Sequence, residues 1–147
     1  MPNDELKKVI KNIVHEPTQF PPNQNLAYLT VAKIGKITRQ GSLDFGGSEY
    51  REAEVEWIQP ELQSKEDKYG WWDLAPGLYQ VQFNESLSFS DDSGVLLQIW
   101  SQALKAGVAH PTEVITESRD PLVTLLQVSE PGSSIKENAR LSEVRLI

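Results

Sequence analysis

The sequence predicts a mostly β fold with one N-terminal helix. Two observations carry this expectation. Helical spacing of apolar residues is confined to the first fifteen positions, and the rest breaks into short alternating segments separated by Gly, Pro and Asp turns. A third bounds the size: 147 residues, 39% of them hydrophobic, fit a single domain over 1–147 with a core that needs no disulfide or structural metal.

Residues 4–15 hold the helical pattern. Asp4 suits an N-cap, Leu6, Val9, Ile10, Ile13 and Val14 recur on one face, and Lys7, Lys8, Lys11 and Asn12 fill the other. Pro17 stops the helix and Pro21-Pro22 extend the break. Such a stripe reads first as a helix packed on the body of the domain and second as a partner-binding helix. The β body is expected over about 27–147. Strands are predicted at 28–32 and 36–38 with Gly35 between them, at 52–58 before Pro60, and at 78–83, where Tyr79, Val81 and Phe83 share a side. Further strands are predicted at 87–89, 95–100, 114–116, 122–128 and 140–147, with 63–68 a solvated loop. Turns fall at Pro76-Gly77, Asp91-Asp92-Ser93-Gly94 and Pro131-Gly132. Trp71-Trp72 reads first as structural, because neighbouring strand residues point to opposite faces and place one in a core and the other at an interface, and second as an aromatic surface on which a base or sugar could stack.

Composition narrows the function classes. The net charge of −7 argues against nucleic acid as a partner, because non-specific binding needs clustered Lys and Arg. An anionic ligand would meet a repelling global field and would require local cations. Without cysteine, thiolate metal sites and cysteine nucleophiles are excluded. No apolar run approaches the roughly 20 residues of a membrane span, and the N-terminus lacks signal-peptide features, so a cytoplasmic protein is expected. His15 and His110 have no second ligand at metal spacing, so no protein-held metal is expected.

From Leu74 the chain reads LAPGLYQVQFNESLSFSDDSGVLLQIWSQALKAG, and residues 135–144 read IKENARLSEV. With Gly41-Ser42-Leu43-Asp44-Phe45, these segments resemble the trimeric dUTPases and dCTP deaminases over about residues 35–147. The resemblance implies a β-clip, or distorted barrel, assembled as a homotrimer. It implies a deoxynucleotide ligand, with Mg²⁺ arriving on the triphosphate rather than held by the protein. The implied reactions are dUTP diphosphatase or dCTP deaminase chemistry.

The pattern departs where the family works. Trp100-Ser101-Gln102 stands where the family has Arg-Ser-Ser. The water-activating Asp falls on Thr116, the base-stacking Tyr on Arg119, and the deaminase Glu near Leu126. A lost general base costs on the order of 10²–10⁴ in rate, so the expectation is a degenerate or rebuilt nucleotide site with little ordinary family activity. Ser101, Gln102, Lys105 and Arg119 are the candidates for anionic groups, and Asp44 and Glu117 for catalytic polar work. The alternative is a non-catalytic structural or interaction module that keeps the trimeric fold.

Overall fold

The alternation that predicts strands also dictates how they curl. The structure, a computed structural model, describes residues 3–147. Its longest element is β2 (Ala27–Arg39), which is buried at Ala27, Leu29, Val31 and Ile34. Along its length β2 pairs antiparallel first with β12 (Arg140–Leu146), then with β5 (Gly77–Phe83), then with β3 (Glu54–Trp57). Each of these pairings shifts register once, and such irregularities bend a strand and increase its twist. The sheet therefore curls into a half-barrel, mostly β as expected.

Beyond β5 lie β10 (Val123–Val128) and then β8 (Val108–Ala109). Beyond β12 lie β7 (Val95–Ile99) and then β9 (Glu113–Ile115). A separate pair, β4 (Trp71–Leu74) with β11 (Ser133–Lys136), joins the core through Trp72, Leu74 and Ile135, and β1 (Ile10–Lys11) pairs with β6 (Ser86–Leu87). One buried cluster, including Leu29, Val81, Phe83, Leu97 and Leu126, fills the concave side.

The N-terminal helix differs from its expected span of 4–15. Helix α1 covers Asp4–Val9, and Asn3 rather than Asp4 holds the N-cap position. At Ile10 the backbone turns extended to pair with Leu87, and Asn12 takes a left-handed φ of 66°. Strand pairing thus overrides a helical pattern built on the β-branched residues Val9, Ile10 and Ile13. Pro17 opens rather than stops a helix: it lies at the start of α2 (Glu16–Gln19), where its missing N–H costs nothing.

Gly35 does not divide two strands. It lies inside β2, where a Cβ would fall 2.3 Å from Val55 Cγ1 and 2.8 Å from Trp57 Cε3. Glycine there leaves room for the Val55 and Trp57 side chains of the neighbouring strand β3 to lie across β2. The predicted turns are present: Asp91 accepts the Ser93 N–H at 2.9 Å, and Gly132 N donates to Ser129 O at 2.7 Å. Trp72 is buried and donates its indole N–H to Ile58 O at 2.7 Å, while Trp71 is half-buried on the opposite face.

Candidate functional site

Strand pairing brings three distant residues of the chain together. Arg140 opens β12 opposite Thr30 of β2, two residues from Tyr28. Trp100 follows β7 and precedes α3 (Ser101–Lys105), and its N–H donates to Leu141 O at 3.0 Å. The Tyr28 and Trp100 rings meet edge to face with centroids 5.2 Å apart. The Arg140 guanidinium carbon lies 4.5 Å from the Trp100 centroid and 5.0 Å from that of Tyr28. Both rings present electron density to the cation, an attraction of about 0.5–2 kcal/mol for each such contact.

Arg140 and Trp100 form part of the wall of a cavity of about 260 Å³, with Trp71, Gln102, Ser134 and Lys136. The Lys136 ammonium lies 5.6 Å from the Trp71 centroid. Among the described residues no carboxylate pairs with Arg140 or Lys136 within 4 Å. The guanidinium donors therefore remain available to an anion. No acidic residue lines the cavity. A carboxylate reaches it only through Ser134, whose hydroxyl donates to Asp73 at 2.9 Å.

Of the six residues singled out in the sequence, Gln102 alone lines this cavity. Ser101 and Lys105 occupy the exposed ends of α3. Arg119 lies between β9 and β10, where its guanidinium donates to Glu113 at 2.8 Å and to Glu117 at 3.1 Å. The structure thus joins Glu117 to Arg119, and two carboxylates already occupy that cation. Asp44 accepts the Gly47 N–H at 3.0 Å and the Glu49 N–H at 2.9 Å, which fixes the loop between β2 and β3. A larger, open depression of about 610 Å³ beside that loop is lined by Tyr50, Arg51, Glu52 and Gln80, and Asp44 is not in its wall.

Two buried polar groups lie apart from the cavity. His110 Nδ1 is 2.8 Å from Pro111 O, which can only accept, so Nδ1 carries the hydrogen and Nε2 accepts from Ser142 at 2.6 Å. The arrangement has the form of an activated serine. Ser142, however, has no exposed surface, and a nucleophile that cannot meet a substrate is a structural group. Glu85 is equally buried and accepts three hydrogen bonds, from Thr30 N, Thr30 Oγ1 and Gln19 Nε2 at 2.6–2.8 Å.

Comparison with known proteins shows what this chain is similar to. The chain is 28% identical, over 97% of its length and 84% of the relative's, to a probable deoxyuridine 5'-triphosphate nucleotidohydrolase of Methanosarcina mazei. A counterpart from Methanococcoides burtonii is 26% identical over 92% of this chain and 76% of its own length. No family model matches the chain. Its fold resembles the crystal structure of 2'-deoxycytidine 5'-triphosphate deaminase from Agrobacterium tumefaciens, with a TM-score of 0.64 over 96% of this chain at 14% identity. The chain spans 42% of the length of that longer protein. The chain thus resembles probable dUTPases in sequence and a dCTP deaminase in fold.

Against the dUTPase and dCTP deaminase pattern that the chain resembles, the tryptophan at the Arg position acquires a structural meaning. Trp100 is not a bare loss of charge, because it provides the surface on which Arg140 rests. Sequence reasoning identified Trp100 and weighed Trp71 but missed Arg140, Lys136 and Tyr28. The available signal was the basic pair Lys136 and Arg140, close in sequence in the segment that carries the resemblance.

Proposed function

We propose that this protein binds a deoxynucleoside triphosphate, of the uridine or cytidine series, through a rebuilt phosphate site. The single observation that carries this reading is Arg140, held on Trp100 and Tyr28 with no carboxylate partner, beside Lys136 on one cavity wall. In a chain of net charge −7, two uncompensated cations facing one cavity form a local exception that suits an anion. Gln102 adds an amide donor, and Trp71 an aromatic face at the same wall.

The absence of a carboxylate from that wall supports binding with little ordinary hydrolysis or deamination, since neither reaction proceeds efficiently without a placed base. Among the described residues no cluster of three metal-ligating side chains exists. Any Mg²⁺ is read as arriving with the triphosphate, as the resemblance implies. The reading extends to one domain, a homotrimer and a cytoplasmic location, all carried over from the sequence and its resemblance rather than from this chain's own contacts.

The experiment is calorimetric titration of the protein with dUTP and dCTP in Mg²⁺, with product analysis of the same samples. Binding without turnover is expected, and Arg140→Met should weaken it by about 10–100-fold, the worth of one lost charge-assisted contact. Turnover at the rate of an intact family enzyme, or affinity indifferent to Arg140, would reject the reading.

A further inference from the structure

The buried acid Glu85 has no place in the anion site, and burying a charge costs several kcal/mol unless its partners compensate. Its surroundings connect it to that site. Gln19, on α2, is 1% exposed and spans the gap between the N-terminal segment and the sheet. Its Oε1 accepts the N–H groups of Val14 and His15, both at 2.8 Å. Its Nε2 donates to Glu85 at 2.8 Å and to the Tyr28 carbonyl at 2.9 Å. Glu85 in turn accepts the Thr30 N–H at 2.8 Å and the Thr30 hydroxyl at 2.6 Å.

These bonds pin β2 at Tyr28 and again at Thr30. Between them they fix the backbone that carries the Tyr28 ring, and that ring supports Arg140 and Trp100. Thr30 is the residue paired with Arg140 across the strands. An ionised carboxylate only accepts, and here its two oxygens meet three donors, so the cluster is satisfied in that form. An apolar pair at the same places could hold the N-terminal segment by burial alone, but it could not fix the direction of a carbonyl. Directionality is what the polar pair adds.

We propose that Gln19 and Glu85 are positioning residues of the anion site, a buried clamp through which the docked N-terminal segment sets the Tyr28–Arg140–Trp100 cluster. The role of that cluster in phosphate binding rests on the function proposed above, while the mechanical link does not. Coupling of this kind is reciprocal: whatever loosens the cluster must loosen the clamp.

The test has two arms on the full chain. In the first, Gln19→Met and Glu85→Gln are compared with wild type by titration with inorganic tripolyphosphate. The Trp100 contribution to fluorescence and near-ultraviolet dichroism is isolated as the difference from a Trp100→Phe background. Both variants should lose the wild-type Trp100 signature well below their melting temperatures and bind tripolyphosphate on the order of tenfold more weakly. In the second, Arg140→Met is examined by hydrogen exchange and should exchange faster at the amides of Val14, His15 and Thr30. If wild type fails to bind tripolyphosphate, the nucleotide reading falls, and the spectral and exchange readouts still judge the clamp. Folded clamp variants with an unchanged Trp100 signature overturn the proposal. So does unchanged exchange in Arg140→Met, which requires neither clamp variant to fold.

Discussion

Under the proposed function, Arg140 supplies at one remove the charge that Trp100 cannot carry, and the indole face against which the guanidinium rests makes the two a unit. Replacing Trp100 with alanine should therefore weaken triphosphate binding although tryptophan itself is a poor phosphate ligand. Other single residues set the response to pH. Burial pushes the His110 pKa down, against the Pro111 carbonyl and Glu113. The folded value lies below the unfolded one, so the stability it supports is present above the ordinary histidine value and is lost as pH falls through the depressed one. Glu85 runs the other way. Burial pushes its pKa up, outweighing the hydrogen bonds from Thr30 and Gln19. Its contribution is complete below the ordinary glutamate value and is lost as pH rises through the raised one. Thermal melts across pH 4–8 should show that His110→Gln flattens the acid side of the stability profile and Glu85→Gln flattens the decline above the ordinary glutamate range. Unchanged profiles in both variants would contradict these assignments.

At the scale of elements, Gly35 is the most exacting position. Val55 and Trp57 of β3 occupy the space a side chain would need, so Gly35→Ala must push β3 outward. Overpacking of this kind costs about 1–3 kcal/mol, to be read as a lower urea midpoint with an unchanged slope. The sequence could not show this, because a glycine in an alternating run looks the same whether it breaks a strand or admits a neighbour. Legibility elsewhere follows the same division. The alternation in 78–83 and 122–128 is local, and β5 and β10 lie close to where it predicts them. By contrast β4 and β11 are short and pair residues about 60 apart, so neither segment announces itself alone. The 4–15 helix failed for the same reason, since Ile10 finds Leu87 far along the chain. The proposed anion cavity combines these hidden pairings. Gln102 was legible from its place in a motif, whereas Arg140, Tyr28 and Trp71 meet only once β2, β4, β11 and β12 are in register.

The molecule as a whole leaves one conspicuous surface unexplained by its own core. Leu43 and Phe45 are almost fully exposed at the loop joining β2 and β3. That loop is not slack. Asp44 ties it to the Gly47 and Glu49 amides, and the Ser42 hydroxyl donates to Glu49 O at 2.6 Å. A pinned loop presents its apolar side chains at little further entropic cost, because their backbone is already ordered. Full burial of each would contribute about 1.5–3 kcal/mol, and the proposed homotrimer offers the surface to bury them. Leu43→Ser with Phe45→Ser removes that gain without touching the protomer's core. Sedimentation should show the wild type as a trimer and the double variant shifted toward monomer. Its melting temperature should match that of wild type at dilutions where both are monomeric. A trimer of undiminished strength in the double variant would place the interface elsewhere and leave this loop free for a different partner.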